Sequence, residues 1–319
     1  MTLFDRSIEI DPLCGMCHGQ RADLLKDAHR IGEAIAGYHK SYLLSPESPT
    51  IFCNYMYTKF FACDWSDYRE DFDRLTALLI QETTARALPQ HQCVLPLMAV
   101  LYRPLNASHL LAATRLFVDR TCAGIQPLPP PPPSSRIGVG SGAGARVLRL
   151  GYITADFKDH PVAKRMQQVY GLHDRSRVFV TAFSLNEDDH SQWRRKIVET
   201  VERFLDMTQL FYSGGELAVA QRIQEERIDV LINLAGHTRA NDMVTKICAY
   251  RPAPVQMLHL GYAGSMGRTL VDLHVTDRFS SPPEFRRHYD EALMYMPGSF
   301  FVNDYMFTYR FAPRVTCDL

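Results

Sequence analysis

The chain has 319 residues, 35 of them basic and 35 acidic, for a formal net charge of zero. Balanced charge removes the bulk electrostatic drive toward nucleic acid or an anionic membrane, and no apolar run reaches the ~18 residues that would span a bilayer. A hydrophobic share of 46% and a charged share of 22% describe an ordinary globular protein, long enough for roughly two domains.

The N-terminal MTLFDRSIEIDP has no basic stretch followed by an apolar run, so it does not read as a secretory signal. The eight cysteines are therefore expected as reduced thiols, and the compartment as cytoplasm or nucleus. SIEIDP ends at Pro12 and SYLLSP at Pro46, an offset of 34 residues that is the tetratricopeptide period. Two amphipathic helices are expected between these prolines, over 16–28 and 32–44. Ala34 is small enough for their close approach, and Pro46 stops the second. Residues 1–46 thus read as the end of a repeat array, with the chain beginning inside a preceding repeat. CGMCH, from Cys14 to His18, matches a haem-attachment pattern but falls where the first of these helices begins. Cys14 and Cys17 are expected as free thiols or apolar helix-face residues.

Residues 47–125 read as a helical extension, with apolar and aromatic residues recurring every three or four positions. Its last helix, NASHLLAATRLFVDR, has Asn106 or Ser108 as its cap. From Pro127 to Pro133 the chain is nearly all proline, and SSRIGVGSGAGAR follows, so 126–146 is expected as an exposed linker. GVGSGAGA imitates a dinucleotide-binding fingerprint, yet it precedes a strand instead of following one.

From residue 147 the pattern alternates. Strands are expected over 147–153, 177–184, 228–234, 254–260 and 271–276, with helices over 161–170, 191–204, 215–226 and 240–250. That alternation predicts a parallel, Rossmann-like sheet with its ligand beyond the carboxyl ends of the strands. Three segments follow such ends. In DFKDHPVAKRM, Pro161 suits the first turn of a helix and His160 stands at its N-terminus. There an anionic group is favoured and imidazole stays neutral, able to accept a proton. In NLAGHTR, Gly236 permits a sharp turn and Thr238 offers a hydroxyl and an amide. In LGYAGSMG, from Leu260 to Gly267, the glycines let backbone approach a ligand closely.

These residues resemble the protein O-GlcNAc transferases and their SPINDLY-type relatives. The similar stretches are LRLGYITADFKDHPVAKRM, GLHDRSRVFVTAFSL, ERIDVLINLAGHTRAND, YRPAPVQMLHLGYAGSMG and VDLHVTDRFSSPPEFRRHYDEALMYMPGSFFVNDY, which together cover about 149–305. The resemblance implies the N-terminal half of a GT-B glycosyltransferase, residues 147–319, behind a tetratricopeptide segment. It implies a UDP-sugar donor, UDP-GlcNAc, and Ser or Thr acceptors on intracellular proteins held by the tetratricopeptide surface, with no cofactor and no catalytic metal. It also implies a central role for His160, as base or substrate positioner, and a sugar-nucleotide site lined by His237, Thr238, Leu260, Gly261 and Tyr262. Departures from the family pattern are Lys164 in place of histidine, Ala235 in place of asparagine and Ala263 in place of proline. Arg239, Ala240, Asn241 and Asp242 also replace a K-G-A-R segment. The family carries a second Rossmann-like domain that neutralises the leaving diphosphate, so residues 1–319 alone are not expected to turn over. The alternatives are a non-catalytic tetratricopeptide scaffold and an O-fucosyltransferase using GDP-fucose.

Overall fold

The computed structural model describes residues 2–84, 105–130, 147–238 and 242–308. The chain divides into two compact units, Met1–Phe117 and Val118–Leu319.

The first unit is helical: α1 (Thr2–Ile10), α2 (Gly15–Asp27), α3 (Ile31–Leu44), α4 (Pro49–Phe61), α5 (Tyr68–Thr84) and α6 (Ala107–Thr121), the last running across the division. The expected pair over 16–28 and 32–44 is α2 and α3. Small residues let them touch: Ala22 and Ala34 are fully buried, and a Cβ on Gly37 would lie 3.0 Å from that of Ala22. Ser48 caps α4 through the Ile51 amide, with Pro49 in the first turn. Asn106 caps α6, its side-chain oxygen accepting the His109 amide at 3.0 Å. Phe52, Met56, Phe72, Leu75 and Leu79 bury the faces of α4 and α5. Beside them Lys59 is buried with both Asp67 and Asp71 on its ammonium, which offsets the cost of desolvating it.

The expectation of free thiols fails at the start of α2, where Cys14 and Cys17 form a disulfide. Positions i and i+3 at a helix start lie on one side of the first turn. Their Cα atoms are 5.3 Å apart, within bridging range. Cys53 is also disulfide-bonded, while Cys63, Cys122 and Cys248 are free.

The second unit is a seven-stranded, wholly parallel sheet in the order β3-β2-β1-β4-β5-β6-β7. Its elements in chain order are β1 (Leu148–Thr154), α7 (Pro161–Met166), β2 (Val178–Ser184), α8 (Gln192–Thr200), β3 (Arg203–Asp206), α9 (Thr208–Glu225), β4 (Val230–Asn233), α10 (Asp242–Ala249), β5 (Val255–Leu258), β6 (Leu273–Thr276), β7 (Ala292–Tyr295) and α11 (Tyr305–Thr308). Five strands were legible and two were not. Arg203 and Phe204 were expected to end a helix over 191–204, but Val201 leaves the helical region and residues 203–206 pair with β2. Helix α9 begins seven residues earlier than the pattern suggested and kinks at Gly215, whose φ is +67°. Two buried apolar layers face the sheet. One holds Ile153, Phe183, Val219, Ile223 and Ile247; the other holds Tyr152, Phe157, Met166, Tyr170 and Ile197.

The described start of the expected linker is exposed at Gln126, Pro127, Pro129 and Pro130, but it is tethered at Leu128. Leu128 packs against the first of these layers and donates its amide to Tyr250 at 2.7 Å, while the Pro129 carbonyl accepts from Gln224 at 2.8 Å. An apolar side chain and two carbonyl partners hold this stretch to the sheet. GVGSGAGA and the rest of the linker, 131–146, lie outside the described residues. Among the described residues no helix is long and apolar enough to cross a membrane.

Candidate active site

The sheet order reverses direction between β1 and β4, because β1 connects outward to β2 while β4 begins the other half. A parallel sheet opens a crevice at such a point, beyond the strand ends. Register aligns the ends: Ile153 pairs with Asn233, and Asn233 with Leu258. The loops after β1, β4 and β5 therefore leave one edge side by side. They carry His160, then His237 and Thr238, then Leu260, Gly261 and Tyr262.

His160 is the N-cap of α7, in extended backbone before Pro161. Its Nδ1 accepts the Val162 amide at 3.3 Å and lies 3.8 Å from the Asp156 carboxylate. The side chain is 37% exposed, enough for a ligand to reach it. Partial burial pushes its pKa below the ordinary 6.5, aided by Lys158, Arg165 and Lys164 and opposed by Asp156. A nitrogen that accepts an amide hydrogen carries no proton. The neutral ring in this geometry therefore bears its proton on Nε2 and offers a donor outward. That arrangement suits a positioner; to serve as base, the ring must give up the Val162 contact.

The loop bearing His160 is held from beneath. Phe157 is fully buried; its amide donates to Asn186, and its carbonyl accepts from Asn186 and from the guanidinium of Arg194. Arg194, on α8, also donates to Ser184, Asn186 and Asp206. It thereby ties the ends of β1, β2 and β3 together. Sequence reading missed both Asn186 and Arg194, because neither stands in a motif.

The β4 turn is built by Asn233, whose side-chain oxygen accepts the amides of Ala235 and Gly236 at 2.8 and 2.9 Å. Gly236 has a φ of +61°, and a Cβ on it would lie 2.2 Å from the Cβ of Tyr262. A Cβ on Gly261 would lie 1.9 Å from the Leu234 carbonyl oxygen. The β4 and β5 turns thus interlock backbone against backbone, which only glycine allows. Leu260, with φ +72°, packs in the same apolar layer as Phe157, Val162 and Met166, so this loop also meets α7.

His237 is buried. Its Nε2 donates to the Met266 carbonyl at 2.7 Å, its Nδ1 lies 3.3 Å from the Thr245 hydroxyl, and burial lowers its pKa to about 4. Both ring nitrogens are engaged, so the ring shapes the turn from within. Tyr262 is also buried and meets His237 edge-on, at 5.5 Å between centroids. Thr238 is half-buried at the rim, just before residues outside the described ones. His160 and Thr238 present half-exposed side chains at this edge. Among the described residues, no group of three or more His, Cys, Asp or Glu could hold a metal ion.

Residues 62–316 match the family described as "Glycosyl transferase family 41". The chain belongs to glycosyl transferase family 41. A probable UDP-N-acetylglucosamine–peptide N-acetylglucosaminyltransferase, SEC, from Arabidopsis thaliana is 32% identical to this family 41 chain over 246 residues, covering 76% of this chain and 24% of that protein. A Caenorhabditis elegans UDP-N-acetylglucosamine–peptide N-acetylglucosaminyltransferase is also 32% identical, covering 76% and 20%. This chain thus spans about a quarter or less of the length of these curated relatives. The solved structure of a Thermobaculum terrenum O-GlcNAc transferase shares the fold with a TM-score of 0.67 at 18% identity, covering 93% of this chain and 53% of that one.

Proposed function

We propose that this chain supplies the N-terminal Rossmann-like half of a protein O-GlcNAc transferase, with UDP-GlcNAc as donor and Ser or Thr hydroxyls of proteins as acceptors. The observation that carries the reading is the convergence of three glycine-shaped or capped turns at the β1/β4 crevice, in a chain of family 41. The reaction is an inverting displacement: the acceptor oxygen bonds to the anomeric carbon as the bond to UDP breaks, and the hydroxyl proton leaves through a relay to solvent or to the departing diphosphate. His160 donates from Nε2 to an oxygen of the reacting sugar or acceptor and fixes the line of attack. The β4 and β5 turns, with Thr238, line the sugar-nucleotide site. The charge on the leaving diphosphate needs further donors, which on the GT-B reading come from a second domain. Helices α2 and α3 form a tetratricopeptide unit that presents protein substrates, in the cytoplasm or nucleus.

The test joins this chain to the second Rossmann-like domain of a family relative and measures transfer of radiolabelled GlcNAc to a Ser/Thr peptide. Transfer is expected, and His160→Ala should lower turnover sharply at unchanged fold. No transfer from either UDP-GlcNAc or GDP-fucose would refute the enzymatic reading.

A further inference from the structure

Behind the β5 turn lies a buried polar cluster that the site described above does not use. Glu291, just before β7, is 3% exposed, yet its carboxylate accepts the Ser265 hydroxyl at 2.8 Å and the Met266 amide at 3.0 Å. His274, on β6, faces it at 3.6 Å, and both side chains are 1% exposed. The Ser265 hydroxyl oxygen in turn accepts the amides of Gly267 and Asp290. The segment being held is conformationally costly: Leu260, Gly267 and Arg268 all have positive φ. Such backbone persists only where its surroundings over-determine it. The Met266 residue held by Glu291 through its amide receives His237 on its carbonyl. His237 then braces Tyr262, and Tyr262 fills the space over Gly236. An unbroken run of contacts leads from Glu291 to the turns of the candidate site.

We propose that Glu291 is a positioning residue: its carboxylate locks the Leu260–Gly267 loop and, through Met266, fixes the orientation and tautomer of His237, setting the shelf on which the sugar nucleotide rests. Glutamate fits because two donors from one loop converge on its two oxygens, while a glutamine amide would turn a donor toward one of them. Charge matters as well as shape. Hydrogen bonds from a hydroxyl and an amide to a buried carboxylate are stronger than neutral ones, and His274 supplies the facing ring. His259 and Tyr289 stand nearby, against His274, and complete the polar surroundings.

The proposal rests on the donor-binding reading for its kinetic consequence but not for its structural one. The structural arm uses the full chain with 15N-labelled histidine and Glu291→Gln. In the wild type His237 should show a single Nε2–H tautomer. In the variant its nitrogen signals should move toward a mixture, and exchange of the Gly261 and Tyr262 amides should rise about tenfold with the fold retained. Ser265→Ala, which removes one donor and little volume, should shift the same signals less; it keeps the test decisive if Glu291→Gln does not fold. The kinetic arm measures KM and kcat for UDP-GlcNAc in the joined enzyme. A shelf that binds ground and transition states alike predicts a KM about tenfold higher at kcat unchanged within about twofold. Unchanged His237 signals in both folded variants would overturn the proposal. Shifted signals without any wild-type turnover would instead overturn the enzymatic reading and leave the positioning role standing.

Discussion

Replacing Gly261 by alanine tests the interlock of the β4 and β5 turns. The new Cβ would lie 1.9 Å from the Leu234 carbonyl oxygen and 2.8 Å from its carbon. Both are backbone atoms, so no side-chain rotation relieves the clash, and the turns must part by about 1.5 Å to regain ordinary contact. Overpacking of this kind costs ~1–3 kcal/mol, and we expect the upper end, about 3 kcal/mol, because backbone must move. Two companion variants separate sterics from conformation. At Gly215 φ is +67° and ψ −164°, a region essentially reserved for glycine, and nothing lies within 4 Å, so alanine meets only a backbone penalty of ~1–3 kcal/mol. At Gly236 the positive φ and the contact with Tyr262 act together, so its cost should be the largest. At ~2–4 °C per kcal/mol, Tm should fall by about 2–12 °C for Gly215→Ala and about 6–12 °C for Gly261→Ala. Thermal melts followed by circular dichroism, with urea midpoints as a check, give the order. A Gly261→Ala chain that melts within about 2 °C of the wild type would show that the turns are not interlocked.

Arg194→Ala leaves the Phe157 carbonyl, Ser184 and Asp206 without their shared donor; urea unfolding should show a loss of about 3 kcal/mol. Burial holds His237 near a pKa of about 4 against 6.5 unfolded, so the folded chain binds fewer protons. The stability this neutral ring contributes is present above pH 6.5 and lost as pH falls toward 4, by about 3 kcal/mol. His160, His173 and His259 are lowered too and act in the same direction, and His237→Gln should remove the largest part of the slope in urea midpoints between pH 4 and 7. Peptide mapping without reductant should recover Cys14 linked to Cys17. Thiol reagents should modify exposed Cys63 readily and Cys248 slowly, since burial pushes the latter up to about 12.

The sheet was legible wherever an apolar run stood between polar or turn-forming stretches, whether or not a glycine followed it. LRLGYIT, VFVTAFS, VLIN, VQML and LHVT carry enough apolar residues to be buried on both faces. RFLD and ALMY were missed because they are the two edge strands, with no fully buried residue, and their pairing comes from neighbours distant in sequence. His160 was legible because its placement follows from local rules, a strand end followed by a proline at a helix start. Arg194 and Glu291 were not, since each acts on a loop that only the fold brings near. The bridge at Cys14 was misread because compartment was set above spacing, although a separation of three residues at a helix start already permits it.

The departures from the family pattern bear on whether the crevice is still built for a ligand. Lys164 is absorbed locally: its ammonium pairs with Asp159 at 2.5 Å and lies over the Trp193 ring at 5.5 Å. It shapes the field at His160 without filling the crevice. Ala235 is 1% exposed, where a side-chain amide would need buried partners of its own. Asn233, two residues earlier, already supplies an oxygen to the Ala235 and Gly236 amides, so the turn keeps its shape with a methyl group at 235. Ala263 is exposed, and the loop around it is held from the other side by Ser265 and Glu291. Each of these three changes thus falls where a neighbouring group carries the geometry, while Arg239, Ala240 and Asn241 lie outside the described residues. The three turns converge because Gly236 and Gly261 let the β4 and β5 turns close on each other, and the His160 cap starts α7 beside them.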